Sequence, residues 1–589
     1  MTRGLTRGTA PAISMLVGLV ASSWSPPARA DAARWFPDRP VAWDEHDDAD
    51  VPRAPQGTHL QDIHTTLILR DSVAGEVDRI LAVDPRAPAL DVNAMDEVPC
   101  STWYCPRNHL RPLTPEQAAA GPPGQGQAPR PPLRIVKGKD DGASPGFQVV
   151  DAAGRKFMLK FDLGRQVGLS TGAEMLGERL FHAAGYNVPG SFRIDLRPED
   201  LTLDPGATYR LFKVQKRRVT PARVRAVLDG VAHTPDGLIR GVATPWIAGQ
   251  VLGGFDMLGR RPDDPNDRIP HEHRRSLRAT WLFFSWISEL DPGSVNTLDT
   301  YVTENGRRFV RHYVIDFGAT LGSFTLRNKG LHEGTEHIIE VGRTLEAIGT
   351  LGLYRRPFQE QRPEFEEAVL QYPSLGYFPA ETYDPDEYRP RIKVPAHMRR
   401  TDRDLYWAAK VVTSFSNAQL GAIAAQAGMP ARDGAYLEHA LQVRRDIIGR
   451  RYLRAVTAVE APTVVTGGAG DGGGTDRDRG GPSVCFDDLA VARGFASAFE
   501  VRYRVEISDG LDHRLRRDEI MAAGPRTCLF VPPLLAAPTE SGYRIVQVTT
   551  HLTGGTGRPA TNTCKAARIH LRWREAERRF VVVGLERDE

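Results

Sequence analysis

The chain has little excess charge, few cysteines and no long apolar run after its first thirty residues. Its 76 Lys and Arg against 73 Asp and Glu give a net charge of +3, too small to predict a nucleic-acid partner or an anionic membrane surface. Its five cysteines include no Cys-x-x-Cys pair, which argues against a cysteine-based metal site. No later segment approaches the roughly 18 apolar residues of a bilayer span, so no integral membrane span is expected.

The cysteines fall into two groups along the chain. Cys100 and Cys105 are spaced to close a small loop, whereas Cys485, Cys528 and Cys564 all lie in the C-terminal region. Three cysteines allow one disulfide and one free thiol there. This usage is loosely compatible with an oxidising compartment, although the chain is long enough to fold without disulfides.

The segment 1–30 has the three parts of an export signal. Two arginines precede the apolar stretch Ile13–Ala21, and an Ala-x-Ala cleavage pattern occupies residues 28–30. We expect a mature chain that begins near Asp31 and is exported, either to a periplasm or by secretion. An ordinary hydrophobic N-terminal helix is the alternative.

Length and composition predict several domains, because 589 residues exceed what one hydrophobic core supports. A Pro- and Asp-rich stretch opens the mature chain, and its Trp103 and Tyr104 suggest docking onto the next domain. A Gly-rich stretch later has the composition of a flexible linker. The predicted divisions are a signal peptide 1–30, an extended N-terminal arm 31–132, a core 133–462, a Gly-rich linker 463–482 and a small all-β domain 483–589.

The core changes character midway. Period-two alternation with Gly and Asp turns from Leu133 predicts a meander of antiparallel strands, followed by an amphipathic helix over Thr171–Tyr186. After Asp263 the pattern becomes mainly helical, beginning with the strongly apolar His273–Ile287. The order is a β-rich lobe with one helix and then a helical lobe, and alternating segments after the linker predict the final all-β domain.

Three side chains with oxygen atoms follow the apolar helix on a loop and at a strand end. Asp291 and Asn296 lie five residues apart on a loop, and Asp316 begins an Asp-Phe-Gly sequence at the end of an apolar strand. Mg²⁺ prefers hard oxygen ligands and binds through one or two carboxylates together with phosphate oxygens. The segment therefore predicts a magnesium site.

These motifs resemble the protein-kinase-like superfamily over residues 133–456. The style is that of atypical kinases, such as the HipA-like, CotH-like and secretory-pathway kinases, without a match to one named, characterised family. The resemblance implies an α+β fold: a bilobal protein-kinase-like core, with a β-rich N-lobe and a helical C-lobe, plus the C-terminal all-β domain.

The resemblance also implies roles for individual residues. Asp291 would be the catalytic residue that orients the acceptor hydroxyl, and Asn296 and Asp316 would hold Mg²⁺. Glu289, Leu290 and Asp291 stand where ordinary kinases have His-Arg-Asp, and no Ala-Pro-Glu follows. That departure puts the role of Asp291 and a protein substrate in question.

The superfamily also needs a strand lysine for the phosphates and a helix glutamate that pairs with the lysine. Lys160 on the third strand fits the first role. Glu174 and Glu178 lie one helical turn apart, and Glu174 is favoured because it is nearer the start of the helix. Lys156 is expected to be a solvated strand end.

The turn between the first two strands, GKDDGASPGF, is glycine-rich. Gly138, Gly142 and Gly146 would let the backbone approach bound phosphates. The segment does not match G-x-G-x-x-G, and a plain hairpin turn is the alternative.

The leading hypothesis is an ATP- and Mg²⁺-dependent phosphotransferase that acts on a hydroxyl group of an unknown protein or small-molecule acceptor. One alternative is an exported pseudokinase or binding scaffold without catalysis. Another is AMP transfer on the same fold.

Overall fold

The structure is a computed structural model, which describes residues 36–37, 41–57, 71, 73–82, 84, 86–123, 126–139, 144–164, 166–211, 215–324, 327–330, 333–338, 340–351, 353–354, 371–465, 481–511, 513–538, 541–553 and 562–589. The predicted signal peptide, Gly142 and most of the predicted linker lie outside these residues. No helix in the described ranges is long and apolar enough to cross a membrane.

The N-terminal arm packs onto the core. It contains helices α1 (Gly75–Leu81) and α2 (Pro115–Ala120), and the expected Cys100–Cys105 disulfide is present. The Trp103 ring stacks on His312 with centroids 3.5 Å apart, and the fully buried Tyr104 donates a hydrogen bond to the Ala184 carbonyl at 2.9 Å. The aromatic pair therefore docks as the sequence suggested.

A seven-stranded mixed sheet forms the first lobe, and its outer strands come from later in the sequence than its centre. The strands are β1 (Leu133–Gly138), β2 (Gly146–Val150), β3 (Lys156–Phe161), β4 (Phe192–Leu196), β5 (Leu201–Leu211), β6 (Gln215–Arg218) and β7 (Ile239–Pro245). Their order is β4-β7-β3-β2-β1-β5-β6. Only the β1–β5 pair is parallel, so the predicted antiparallel meander of β1, β2 and β3 is confirmed.

Helix α3 (Leu169–Ala184) lies between the lobes, and all sixteen of its residues are buried. The sequence predicted this helix but gave it one solvated face. Its first turn is held by Asp162, whose carboxylate accepts hydrogen bonds from the backbone N–H groups of Gly168, Ser170 and Thr171 at 2.8 Å. These bonds satisfy backbone donors that a helix start leaves without intrahelical partners.

The second lobe is mainly helical, as predicted. Helix α4 (Pro221–Asp229) still belongs to the first lobe. The helices of the second lobe are α5 (Arg275–Arg278), α6 (Thr280–Ile287), α7 (Val341–Gly349), α8 (Pro395–Met398), α9 (Asp402–Val412), α10 (Asn417–Gln426) and α11 (Ala431–Tyr452). Its strands are β8 (Gln250–Gly253), β9 (Thr297–Glu304), β10 (Arg307–Val314), β11 (Ser323–Phe324) and β12 (Arg327–Asn328). The antiparallel sheet β8-β9-β10 leads the chain from the loop of Asn296 back to Asp316.

The C-terminal region is built from strands, as expected. Its elements are β13 (Val459–Val465), β14 (Ser483–Asp488), α12 (Leu489–Ala492), β15 (Val501–Asp509), β16 (Arg514–Met521), β17 (Arg526–Phe530), α13 (Pro532–Leu535), β18 (Tyr543–Leu552), β19 (Asn562–Thr563), β20 (Ala567–Arg574) and β21 (Arg579–Arg587). They form sheets β13-β14-β17 and β16-β15-β18-β20-β21, with β19 on β18. Cys485 and Cys528 form a disulfide between β14 and β17, and Cys564 is a buried free thiol.

Two hydrophobic cores result. One lies under the seven-stranded sheet and includes Ile135, Leu159 and Ala243. The other is continuous from the arm through α3 and the helices of the second lobe into the C-terminal strands. The architecture is thus α+β, with a β-rich lobe, a helical lobe and a C-terminal all-β part, while the exact division into domains stays a prediction.

A buried cluster of charges joins three separate parts of the chain. The carboxylate of Asp96, in the arm, accepts hydrogen bonds at 2.8 Å from Arg275 and Arg403, and it also pairs with Arg587 on β21. Burial alone would raise the pKa of Asp96, but the three arginines outweigh burial and hold the pKa far below its ordinary value. The cluster is therefore charged at neutral pH.

Replacing Asp96 by Asn tests the cluster. The backbone of Asp96 has a φ of 61°, which Asn tolerates, so Asp96→Asn removes the charge with little backbone strain. We expect the free energy of unfolding at neutral pH to fall by about 3–5 kcal/mol, because three buried arginines lose their counter-charge. Denaturant titration measures the change.

The exposed turn residue Asp236 supplies the matched control, and Asp236→Asn should change stability little. Since the pKa of Asp96 is lowered on folding, its contribution is complete above the unfolded value of 3.8 and is lost as the pH falls below that value. The gap between wild type and Asp96→Asn should narrow in acid. Equal stability of the two proteins at neutral pH would contradict a stabilising role for the cluster.

Candidate active site

Lys160 joins the two lobes. Its Nζ donates hydrogen bonds to Glu174 Oε1 at 3.2 Å and to Asp316 Oδ1 at 2.9 Å. Lys160 comes from the sheet, Glu174 from α3 and Asp316 from the end of the segment that follows β10. The predicted lysine, glutamate and Asp-Phe-Gly aspartate therefore meet in one place.

The structure also distinguishes the two candidate glutamates. Glu178 accepts hydrogen bonds from the backbone N–H and the hydroxyl of Ser191, at 2.5 and 2.8 Å, and so serves the chain segment before β4. Glu174 is the one that pairs with Lys160. Lys156 is exposed at the start of β3, in agreement with the sequence analysis.

The three ionisable groups at this site shift one another's pKa values. Burial by itself lowers the pKa of Lys160, but Asp316 and Glu174 outweigh it and hold the pKa above its ordinary value. Burial raises the pKa of Glu174, although Lys160 opposes the shift, whereas the Lys160 charge outweighs burial and lowers that of Asp316. Asp316 thus carries the negative charge beside the Lys160 ammonium group, while the pKa of Glu174, raised to about 8, favours its neutral form.

The position of Asp316 is set by its neighbour Phe317. A Cβ atom on Gly177 would lie 2.6 Å from the Phe317 side chain, so glycine on α3 makes room for this ring. The ring also packs against Phe181, with centroids 4.9 Å apart. Asp316 itself has a φ of 61°, and its side chain is 41% exposed. Packing of Phe317 on α3 therefore holds the carboxylate at the surface of the cleft.

Asn296 lies beside the chain that leads to Asp316. Its backbone carbonyl accepts a hydrogen bond from the Ile315 N–H at 3.0 Å. Its side-chain nitrogen donates to the backbone carbonyl of Asp291 at 2.6 Å. Because the nitrogen of the amide is engaged, the oxygen is the end that can act as a metal ligand.

Asp291 lies on the same loop, and its side chain is 33% exposed. One of its oxygens is 3.8 Å from the Arg391 guanidinium. The carboxylate is therefore accessible from the cleft and close to a positive charge. The structure brings Lys160, Glu174 and Asp316 into direct contact, with Asn296 and Asp291 on the adjoining loop.

Two further ionisable residues lie at this site, and the sequence predicted no role for either of them. Glu289 is buried, and its Oε1 accepts a hydrogen bond from the Asp291 N–H at 2.7 Å. Burial raises its pKa well above the ordinary value, and Asp291 and Asp316 add to the rise, which favours the neutral form of Glu289. Its place in the Glu-Leu-Asp sequence was the available signal.

The second is Lys139, which follows Gly138 in the predicted phosphate-covering turn. Its Nζ donates to the Ser144 carbonyl at 2.8 Å, and its charge contributes to the lowered pKa of Asp316. A lysine at the end of a strand gives no signal in sequence, since most such residues are solvated. Here it supplies a second cation near the cleft.

Packing explains two of the three glycines of that turn. A Cβ on Gly138 would lie 2.8 Å from the Tyr209 Cβ, and one on Gly146 would lie 2.0 Å from the Leu159 carbonyl. Gly146 pairs directly with Lys160 in the β2–β3 ladder. The close approach of these strands requires glycine, and the phosphate-binding role of the turn stays a prediction.

The donor set suits a divalent cation bound together with phosphates. Asp316 offers a partly exposed carboxylate and Asn296 an amide oxygen, the small protein contribution that Mg²⁺ takes at phosphate sites. Glu174 Oε2 is buried without a hydrogen-bond partner among the described residues. Those residues contain no cluster of three or more His, Cys, Asp or Glu side chains that could form an all-protein metal site.

No protein-family model and no curated protein matches the chain. Among solved structures, the proinflammatory kinase CtkA of Helicobacter pylori is similar with 10% identity and a TM-score of 0.27, over 55% of this chain and 95% of that one. A Golgi casein kinase is similar in two structures. The one with Mn and ADP bound has 8% identity and a TM-score of 0.27, over 55% of this chain and 73% of that one. The other has 9% identity and a TM-score of 0.28, over 55% and 74%.

The register of Gly146 with Lys160 generates a prediction. Gly146→Ala places a methyl group against the backbone of β3, so we expect the free energy of unfolding to fall by about 1–3 kcal/mol. The control is Gly434→Ala in α11, where a Cβ meets no described atom within 4 Å. That change should stabilise the protein by about 0.5–1 kcal/mol. Thermal unfolding of both variants measures the contrast, and similar shifts in the two would contradict the packing argument.

Proposed function

We propose that this protein is an ATP- and Mg²⁺-dependent phosphotransferase of the atypical kinase type, acting on a hydroxyl group of a protein or small-molecule acceptor. The observation that carries the proposal is the position of Lys160 Nζ between Glu174 and Asp316, at 3.2 and 2.9 Å. Phosphoryl transfer depends on positioning and on neutralising the charge of the phosphates. This arrangement provides a fixed cation beside an open carboxylate.

Phosphate binding falls to Lys160 and, as a second cation, Lys139. The carboxylate of Glu174 orients the Lys160 ammonium group, whose raised pKa keeps it charged at neutral pH. Lys139 is fixed at the mouth of the β1–β2 turn by its bond to Ser144. Two ammonium groups on one side of the cleft favour a polyphosphate over a neutral ligand.

Metal binding is assigned to Asp316 and Asn296, because Asp316 offers a partly exposed carboxylate and Asn296 an amide oxygen. A bound Mg²⁺ would neutralise the charge of the phosphates during transfer. The raised pKa of Glu289 favours a neutral group beside Asp291.

Asp291 orients the acceptor hydroxyl and takes its proton. The hydroxyl oxygen of the acceptor attacks the γ-phosphorus, the bond from that phosphorus to the ADP oxygen breaks, and the hydroxyl proton passes to the Asp291 carboxylate. Its exposed position, on the loop that Asn296 ties down, supports this assignment.

Export is part of the proposal. Disulfides are rare in cytosolic proteins and persist in oxidising compartments, and two are formed here between Cys100 and Cys105 and between Cys485 and Cys528. They support the export signal read at the N-terminus.

Nucleotide binding is the first test. We expect calorimetric titration of the protein with ATP and Mg²⁺ to show one site, with binding lost in Asp316→Ala and weakened at least about tenfold in Lys160→Met. Lys156→Met is the matched control on the same strand and should bind as wild type does. An absence of binding by the wild-type protein would instead favour the non-catalytic scaffold.

Turnover is the second test. Asp291→Asn should keep ATP binding and lower phosphoryl transfer, measured as ADP release, by about 10²–10⁴-fold, because the acceptor loses its proton acceptor. Unchanged turnover in this variant would remove Asp291 from the mechanism. Release of pyrophosphate in place of ADP would identify AMP transfer.

A further inference from the structure

A second cavity lies next to the loop that carries Asp291. Its volume is about 740 Å³, and none of the residues assigned above to nucleotide, metal or acceptor lines it. The side chain of Tyr388, in its wall, donates a hydrogen bond to the Glu289 carbonyl at 2.6 Å. The cavity is therefore a separate space attached to the catalytic loop.

Lys329 lines this cavity and is only 7% exposed. Within the described part of the chain, its Nζ has no hydrogen bond and no ion pair, and its nearest aromatic neighbour is the Tyr377 ring at 5.7 Å. Glu333 is nearby, but its carboxylate is held by Arg327 at 2.7 Å. Burial, with a smaller effect of Arg444, lowers the pKa of Lys329 to about 7.

Arg444 is the second buried cation of the cavity, and its relative exposure is about 2%. Its Nη2 donates to the Ser285 carbonyl at 3.0 Å and to the Ser288 hydroxyl at 2.8 Å, and its guanidinium stacks on Tyr383 at 3.8 Å. Its Nε and Nη1 are buried and have no hydrogen-bond partner among the described residues. Two donor groups of this arginine are therefore unused.

Unpaired buried cations are costly. Removing a charge from water without a partner costs several kcal/mol of solvation free energy. A buried counter-ion offsets part of that cost. The acidic residues that line the cavity do not neutralise these cations. Among the described residues none forms an ion pair with Lys329 or Arg444, and Asp386 is paired with Arg451 at 2.7 Å. The described residues thus supply no counter-ion for these two cations.

We propose that this cavity binds a small organic anion, whose phosphate or carboxylate group is held by Lys329 and Arg444. The volume lies within the roughly 300–1,000 Å³ of small-molecule sites. Tyr377, Tyr383 and Tyr388 line the same space and provide aromatic surface for the carbon skeleton of the ligand. The proposal is independent of the phosphotransferase activity, because it uses none of its residues.

Calorimetric titration with two simple probes, inorganic phosphate and malonate, tests the proposal. We expect saturable binding of at least one probe at one site, weakened at least about tenfold in Lys329→Met. Binding of phosphate alone identifies a phosphoryl ligand, and binding of malonate alone a carboxylate ligand. Failure of both probes to bind at millimolar concentration overturns the proposal, as does equal binding by Lys329→Met.

Two controls separate this site from the nucleotide site. Lys160→Met should bind the probe as wild type does, and Lys329→Met should keep ATP binding. If the probe is lost in Lys160→Met alone, it binds at the nucleotide site and the proposal is wrong. A failure of ATP binding in the wild-type protein leaves the probe result unaffected.

Stability gives an independent readout. Without ligand, Lys329→Met removes an unpaired buried ammonium group, so its unfolding temperature should equal or exceed that of wild type. Added probe should raise the unfolding temperature of wild type and not that of the variant. Lys216→Met, at an exposed position on β6, is the matched control and should respond to the probe as wild type does. A large loss of stability in Lys329→Met would show a structural role for the lysine and overturn the proposal.

Discussion

The buried carboxylate of Asp96 is the contact on which the arrangement of the chain depends. Three arginines from α5, α9 and β21 converge on it, so the arm, the helical lobe and the C-terminal strands share one charged centre. Next to it, Glu97 accepts a hydrogen bond from the Trp407 indole at 2.9 Å and pairs with Lys410, which also contacts Glu460. A hydrophobic interface tolerates sliding, whereas a buried set of ion pairs has few arrangements that satisfy every member. The cluster therefore fixes how these parts meet.

The cleft is built on the boundary between two hydrophobic cores. Lys160 belongs to the sheet over the smaller core, while α3 and Phe317 belong to the larger one. The ion pairs of Lys160 are therefore contacts between lobes, and their distances report how the lobes are set against each other. The same relation explains why the site needs glycine at two points, Gly146 beside β3 and Gly177 under Phe317, since both let backbones or rings approach across this boundary.

The sequence predicted the local order well and the long-range contacts unevenly. Alternation revealed β1, β2 and β3, and helical spacing revealed α3, so the pairing of Lys160 with a helix glutamate could be expected. Helical spacing could not reveal that α3 is enclosed on every side, because the helices α2 and α10 that pack against it lie far away in sequence. The sequence did not predict strand β9, which is defined by its pairing with β8 and β10. The burial of Glu289 and Lys329 was also not predicted, because burial of a charged side chain leaves no periodic signal in the sequence.

The enclosure of α3 has a consequence for the motion of this helix. A helix that carries an ion-pair contact can move outward only if one of its faces is free to leave its neighbours. Every residue of α3 is covered, from Leu169 to Ala184, and its last turn is clamped where Tyr104 meets Gly185. Rotating the helix outward would open the interior of the protein. Glu174 is thus carried by a helix that has no exposed face along which it could leave its neighbours.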